Sequence, residues 1–265
     1  MNIYDISEKA GVSIATVSRV LNGNSKVSDK TRKKILAVME ETGYQPNVFA
    51  RGLGLNTMNT VGVMCADSSD MVLASAVYHV EQELHKYQYD VLLCCTGYET
   101  EEKAKYMNLL LSKRVDALIL VGSSFIEKNM EKNQYIIEAA KEVPVMLVNA
   151  YLDAPNVYCA VCDDRTMMRQ VTREFLEHKR QILYLYRSLS YSGRQKLQGI
   201  KDAFKDCGQK PEKDQMVLMK DSTIEDTRKF LTERWSQGER WDVVMSSDDE
   251  LAVGACKFAK AQGLK

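Results

Sequence analysis

The first 45 residues place apolar side chains at the spacing of three short helices. One apolar residue every three or four positions lies on a common face, which predicts amphipathic helices. Gly11 and Gly43 are expected to end the first and third helices, because glycine adopts the left-handed backbone of a helix C-terminus without strain. Ser13 and Ser28 are expected to cap the second and third, since a hydroxyl accepts an unpaired backbone N–H. The predicted buried positions are Ile3, Ile6, Ala10, Val17, Val20, Leu21, Ile35, Leu36 and Met39.

The second predicted helix leaves a mostly polar face uncovered. Hydroxyls and amides can hold phosphates, and an arginine such as Arg19 can pair with the O6/N7 edge of guanine. This face is suited to a DNA major groove, although a helical hairpin with a solvated face would show the same pattern. The outward positions are Ile14, Ala15, Thr16, Ser18, Arg19 and Asn22.

The segment from Asn47 to Asn59 is a poor helix in isolation, because Gly52 and Gly54 weaken helical structure. It is nevertheless too apolar for a plain solvated connection. The segment is expected either to become ordered with a partner or to pack on the body as a linker.

From Thr60 onward, short apolar runs alternate with amphipathic stretches. This alternation predicts parallel sheets with helices on both faces. Two successive series predict two lobes with a boundary near residue 160 and a ligand cleft beyond the strand ends. The predicted strands are Val61–Ala66, Asp90–Cys95, Asp116–Gly122, Val145–Asn149, Tyr158–Cys162, Gln181–Tyr186, Gln215–Met219 and Asp242–Ser246.

Composition indicates the cellular compartment and shows that charge is unevenly distributed along the chain. The N-terminus lacks a signal-peptide pattern and no run is long enough to span a membrane. The seven cysteines occur mostly in apolar runs and indicate buried thiols in a reducing cytoplasm. Cys159 and Cys162 have CxxC spacing, but core packing is favoured over metal or redox chemistry. Residues 1–60 hold eight Lys/Arg against five Asp/Glu, although the 265-residue chain is neutral.

The sequence shows none of the usual catalytic signatures. A Gly-rich phosphate loop, HExxH, GxSxG and a metal-ligand cluster are all missing. The carboxylates of Asp163-Asp164 and Asp248-Asp249 are sequence neighbours that diverge in direction, so they make poor acid–base pairs. We therefore expect no enzyme activity, no cofactor and no metal.

Specific sequence motifs in the N-terminal head, residues 1–59, resemble the LacI/GalR family of bacterial transcription repressors. Weaker motifs in the body, residues 60–265, support the same resemblance, and the similarity covers essentially the whole chain. The head motifs are Tyr4-Asp5-Ile6-Ser7, Ala10-Gly11-Val12-Ser13, Thr16-Val17-Ser18-Arg19-Val20-Leu21-Asn22, Val27-Ser28, Thr31-Arg32, Gly43-Tyr44, Pro46-Asn47, Ala50-Arg51 and Leu53. The body motifs are Val61-Gly62-Val63, Arg114-Val115-Asp116-Ala117-Leu118-Ile119, Val143-Pro144-Val145, Asp249 and Ala252-Val253-Gly254.

The resemblance implies an all-α helix-turn-helix headpiece at 1–46, a hinge helix or linker at 47–59, and an α/β body at 60–265. That body would resemble the two-lobed periplasmic binding proteins and sense a small molecule, usually a sugar. The protein would be a homodimeric repressor that binds a pseudo-palindromic operator. A solute-binding protein with a non-functional head is the alternative, and a sugar-processing enzyme with an appended head is a third reading.

The resemblance also implies roles in DNA binding. Ile14 and Ala15 would open the recognition helix and could touch a thymine methyl, while Arg19 would be the best polar base reader. Leu53 would be the hinge residue that wedges into the minor groove. The full DNA-binding set is Tyr4, Ser13, Ile14, Ala15, Thr16, Ser18, Arg19, Asn22, Asn47, Ala50 and Leu53.

Several body positions depart from the family pattern for effector binding. Asn149 stands where many relatives have aspartate, Lys196 where arginine is common, and Asp248 where an amide is frequent. Asp248 or Asp249 could instead be the N-cap of the last helix. Family members normally continue past residue 265, so part of the cleft is expected to be missing from this chain. The predicted effector-binding set is Asn149, Asp163, Arg194, Lys196 and Asp248.

Overall fold

The structure is a computed structural model that describes residues 1–22, 26–44, 57–212, 214–220 and 222–264. Its first unit is a bundle of helices α1 (Ile3–Ala10), α2 (Ile14–Leu21) and α3 (Asp29–Thr42). Asn2, for which no role was predicted, caps α1 through a capping box with Asp5. The bundle encloses one small core. Its fully buried members are Ile6, Ala10, Val17, Val20 and Ile35.

The predicted helix ends of the bundle are observed. Gly11 and Gly43 both adopt left-handed backbone, with φ of 59° and 61°. Ser13 and Ser28 each accept the backbone N–H of the threonine three residues later. The local signals therefore determine where each helix begins and ends.

Leu36 was wrongly predicted to be buried. It is 48% exposed, whereas Val38 packs against the core beside Met39. The reason is angular: successive helical residues are separated by about 100°, so Leu36 lies well to the side of Ile35, while Val38 and Met39 return to the buried face.

The first lobe is built on a five-stranded parallel sheet of order β2-β1-β3-β4-β5. Helix α4 covers one face of the sheet, and α5 and α6 contribute to the core on the other face. Short 3₁₀ turns at Ser123–Phe125 and Met130–Asn133 precede α6, so the predicted helix 127–141 is only partly formed. The strands are β1 (Thr60–Cys65), β2 (Asp90–Cys95), β3 (Ala117–Val121), β4 (Val145–Val148) and β5 (Val157–Ala160); the helices are α4 (Met71–Lys86), α5 (Thr100–Ser112) and α6 (Gln134–Ala140).

Strand β5 belongs to the first sheet, although its predicted counterpart 158–162 was placed at the start of the second series. It pairs in parallel with β4 after a short non-helical connection, with Val145 opposite Val157. Alternating apolar runs indicate strands but do not specify which sheet a strand joins, because that depends on contacts between distant segments.

The second lobe contains a three-stranded parallel sheet of order β7-β6-β8. Two apolar clusters flank it, one containing α7 and α8 and the other α9 and α10. No helix in the described ranges is long and apolar enough to span a membrane. The elements are α7 (Asp164–Glu177), β6 (Ile182–Tyr186), α8 (Tyr191–Asp206), β7 (Met216–Leu218), α9 (Ile224–Ser236), β8 (Val243–Ser246) and α10 (Asp249–Ala261).

Helices α7 and α8 approach each other closely at Gly199. A Cβ placed there would lie 2.3 Å from the carbonyl oxygen of Arg165. Ion pairs from Arg165 to Asp202 and from Arg169 to Asp206 bridge the same two helices at 2.6 and 2.5 Å. The contact therefore combines close backbone packing with exposed electrostatic pairing.

We predict that Gly199→Ala destabilises the second lobe by roughly 1–3 kcal/mol, because the added methyl must push two helices apart. Urea denaturation followed by circular dichroism measures the change. Lys201→Ala is the control, since Lys201 is exposed on the same helix. Equal stability of the Gly199→Ala and Lys201→Ala proteins would contradict the proposed steric constraint.

Candidate functional site

The outer face of α2 presents the residues that the sequence predicted for DNA contact. Ile14, Ala15 and Arg19 are exposed, while Val17 and Val20 on the opposite side enter the head core. The Arg19 guanidinium makes no hydrogen bond to any described residue. The face therefore combines a free cation with small apolar side chains that are accessible to a partner.

The N-terminus of α2 adds two oriented hydroxyls. Ser13 Oγ accepts the Thr16 N–H at 3.2 Å, and the two hydroxyls lie 2.9 Å apart. Helix N-termini attract phosphate through unpaired N–H groups and the helix dipole. Ser28 and Thr31 repeat this arrangement at α3, also with 2.9 Å between their hydroxyls.

The remaining predicted DNA-binding residues fall into two groups. Tyr4 is exposed on α1, while Ser18 and Asn22 are half-buried at the edge of the α2 face. Asn47, Ala50 and Leu53 lie outside the described residues, so their predicted roles stay predictions.

In the body, the predicted effector residues follow the carboxyl ends of parallel strands or lie on the helix behind them. Asn149 directly follows β4, and Asp248 lies two residues after β8. The Asn149 backbone is left-handed with φ of 62°, and its N–H donates to the Ala160 carbonyl at 2.7 Å. Its half-exposed side-chain amide makes no hydrogen bond within the described ranges, so it remains available for a ligand.

Asp248 is already engaged by a network that includes a residue not predicted from sequence. Arg187, directly after β6, donates to both Asp248 carboxylate oxygens at 3.2 and 3.3 Å and to Glu250 at 2.8 Å. Asp248 also accepts the Ser247 hydroxyl and the Leu251 N–H, so it caps α10. The sequence feature that could have identified Arg187 was its position directly after an apolar strand.

The electrostatics of Asp248 follow from these contacts. Burial raises the pKa of its carboxyl, but the hydrogen bonds from Arg187, the Leu251 N–H and Ser247, together with the Arg187 charge, hold the pKa below the ordinary value of 3.8. Lys196 reinforces the same strand end, since its Nζ donates to the Ser247 carbonyl at 2.9 Å. Asp248 and Lys196 therefore belong to one connected group.

Arg194 connects the two lobes. Its guanidinium donates to the Leu189 carbonyl at 2.6 Å and to the Ile126 carbonyl of the first lobe at 3.3 Å. Beside it, the hydroxyls of Ser123 and Ser190 form another contact between lobes at 2.9 Å. These bonds join loop 123–127, after β3, to the start of α8.

Lys103, for which the sequence predicted no role, supports that loop from inside the first lobe. Its side chain is 1% exposed, its Nζ donates to the Ser124 carbonyl at 2.7 Å, and Glu127 lies 3.8 Å away. Burial lowers the pKa of Lys103, while the charges of Glu127 and Glu99 oppose that shift. In the sequence, Lys103 lies inside an apparently amphipathic helix, and nothing there identified it as a buried cation.

Asp163 has a simpler role in the structure. It is exposed and accepts the Thr166 N–H at 3.0 Å, so it caps α7. A shallow depression of about 500 Å³ lies along the outer side of α7, but it is not lined by Asn149, Lys196 or Asp248. Within the described ranges, no cluster of three or more His, Cys, Asp and Glu side chains could hold a metal ion.

Comparisons with known proteins agree with this two-part architecture. The family described as bacterial regulatory proteins, lacI family, matches residues 2–47, and periplasmic binding proteins and sugar binding domain of LacI family matches residues 58–265. An HTH-type transcriptional regulator from Lachnoclostridium phytofermentans is 55% identical over 264 residues, which cover 99% of this chain and 79% of that protein.

Two further comparisons extend the similarity. The HTH-type transcriptional regulator GalR of Escherichia coli is 31% identical, over 99% of this chain and 75% of that protein. A crystal structure of the lac repressor dimer bound to operator and the anti-inducer ONPF has a TM-score of 0.85 at 23% identity. It covers all of this chain and 79% of the other, and at that identity it supports the fold.

The helical head and the two-lobed body thus define a DNA-binding transcriptional regulator with a ligand-sensing body. The chain belongs to the LacI family. The alternative of a solute-binding protein with a non-functional head is not favoured, because the full-length relatives are transcriptional regulators.

We predict that Asp248→Asn destabilises the protein at pH 7 by roughly 1–3 kcal/mol, because Arg187 loses a charged acceptor. The folded-state pKa of Asp248 is below 3.8, so its carboxylate stabilises the fold above that pH and ceases to do so as the pH falls through the folded value. Urea unfolding at several pH values should therefore show the difference from the parent shrinking in acid.

Asp249→Asn is the matched control, since the Asp249 side chain is exposed on the same helix turn. A difference between Asp248→Asn and the parent that is independent of pH would argue against the charged network.

Proposed function

We propose that this protein is an effector-controlled repressor that binds a pseudo-palindromic operator as a homodimer. The observation that carries the proposal is the exposed α2 face on a LacI-family chain with a two-lobed body. On this face Arg19 bonds to no residue that the structure describes, and the Ser13 and Thr16 hydroxyls are oriented. A regulator of bacterial DNA works in the cytoplasm, where we place it. We assign it no catalytic role.

In the head, we assign base reading to Ile14, Ala15 and Arg19. The small apolar side chains fit thymine methyl groups, and the arginine fits guanine. Phosphate positioning is assigned to the polar residues, and minor-groove contact to the hinge. Domain limits of 1–46, 47–59 and 60–265 are part of the proposal. The phosphate-positioning set is Tyr4, Ser13, Thr16, Ser18 and Asn22, and the hinge set is Asn47, Ala50 and Leu53.

For the homodimer, the outer side of α4 supports the proposal. Met71, Val72 and Tyr78 are 82%, 65% and 58% exposed, and no residue of α4 is fully buried. Large exposed apolar side chains on one helix are suited to contact with a second copy of the chain. Dimeric helix-turn-helix proteins read two half-sites about 10 base pairs apart, and the two-fold symmetry of such a dimer gives the expected operator its approximate symmetry.

For the effector, we propose a sugar or sugar derivative held between the lobes. Asn149 supplies a side-chain amide that bonds to no described residue, and Arg194 lies where the lobes already touch. The proposed set also includes Asp163, Lys196 and Asp248. To bind a ligand, Lys196 and Asp248 would have to give up some of the hydrogen bonds that they make within the protein. One relative, 28% identical over 98% of this chain, is described as a ribose operon repressor.

We predict that Arg19→Ala lowers the operator affinity of the homodimer by about thirtyfold or more, because each of the two subunits loses a bidentate base contact that contributes roughly 1–3 kcal/mol. Operator sites are first selected from random duplexes with the full chain, and affinity is then measured by gel shift. Lys9→Ala is the control, since Lys9 is exposed on α1. Unchanged affinity and sequence preference in Arg19→Ala would refute the assignment of base reading.

The effector proposal is tested separately, by thermal shift with a panel of neutral mono- and disaccharides. For a sugar that raises the melting temperature, we predict that Asn149→Gly weakens binding about threefold to tenfold, as expected for one lost hydrogen bond. Glycine is chosen because it tolerates the left-handed backbone. Asn108→Ala, an exposed amide on α5, should change nothing, and equal loss in both variants would contradict the assignment.

A further inference from the structure

Two cysteines lie side by side where β1 and β2 end. Cys65 and Cys95 are register partners on these neighbouring parallel strands, and their sulfur atoms are 3.9 Å apart. Neighbouring strands are separated by about 4.8 Å, which is inside the Cα–Cα range of about 4.4–6.8 Å found in disulfides. Side-chain rotation with a small strand adjustment can therefore bring the two sulfurs into bonding distance.

The two thiols have unequal surroundings. Cys65 is fully buried, whereas Cys95 is exposed on the edge strand. Burial raises the pKa of the Cys65 thiol to about 12, and the neighbouring Cys95 adds to the shift. Because Cys95 is exposed and Cys65 is buried, Cys95 is the sulfur that meets an external oxidant first.

The sequence predicted buried thiols for the cysteines in apolar strand-like runs, and this prediction was wrong for Cys95 and Cys162. Cys95, Cys162 and Cys256 are exposed. Among the cysteines of the described ranges, no other pair is in sulfur–sulfur contact. Cys94, the sequence neighbour of Cys95, packs against the core on the opposite face of the sheet.

We propose that Cys65 and Cys95 form an oxidation site that reacts with hydroperoxides and closes to a reversible intrachain disulfide. The Cys95 thiolate attacks a peroxide oxygen, which gives the sulfenic acid and, for hydrogen peroxide, one water after protonation. The Cys65 sulfur then attacks the Cys95 sulfur, and the departing hydroxide leaves as water with the Cys65 proton. Two thiols are oxidised by two electrons and one peroxide is reduced.

The position of the pair gives the bond a structural consequence. The Thr96 N–H already donates to the Cys65 carbonyl at 2.9 Å, and the Gly97 N–H donates to Ala66 at 2.9 Å. Asp70, five residues after Cys65, caps α4. A disulfide would therefore covalently join the edge strand to the strand that leads into α4.

The test uses the full chain, treated with stoichiometric hydrogen peroxide, alkylated and digested with trypsin. We expect peptide 52–86 joined to peptide 87–103, with the loss of two hydrogens and full reversal by dithiothreitol. Cys65→Ser and Cys95→Ser should each abolish the link. Cys94→Ser is the matched control and should retain it, because Cys94 faces the other side of the sheet.

A second measurement distinguishes the roles of the two sulfurs. In Cys65→Ser, the Cys95 sulfenic acid has no resolving thiol and should be labelled by dimedone. Labelling that is absent there, a link that requires Cys94, or a Cys95–Cys95 bond between two copies on a non-reducing gel would each overturn the proposal. None of these outcomes depends on operator or sugar binding.

Discussion

Parallel strand pairing is the constraint on which the body depends. Every paired strand in the two described sheets runs parallel to its neighbour, so the carboxyl ends within each sheet collect at one edge. Residues far apart in sequence meet there: Ser123 contacts Ser190, and Arg194 reaches the Ile126 carbonyl. The loops after the strands thereby become the connection between lobes, and a ligand bound between them would act on that connection.

The charged groups at this edge are internally compensated. Arg187 forms ion pairs with both Asp248 and Glu250, and Lys196 and Lys103 each donate to a backbone carbonyl. Burying an uncompensated charge is costly, which explains why such groups are paired. Effector binding at Asp248 or Lys196 would therefore be an exchange of bonds, and an exchange can favour one lobe arrangement over another.

Local rules predicted much of the fold because their causes are local. The caps at Ser13 and Ser28 and the ends at Gly11 and Gly43 depend on a few consecutive residues, and each was correct. The prediction that Leu36 is buried was wrong because the buried face of a helix is set by angle as well as by polarity. Arg187 and Lys103 were missed because their partners lie on other elements, and nothing in their own segments identifies those partners.

The sequence by itself determined the family, the helical head with its exposed α2 face, and the alternation of strands and helices that produces parallel sheets. These follow from hydrophobic periodicity, helix caps and specific sequence motifs. The tertiary structure alone decided that β5 joins the first sheet and that Cys65 meets Cys95. It also decided that Asp248 is held by Arg187. Each of these outcomes depends on the register and order of distant strands, which only the complete packing of the chain specifies.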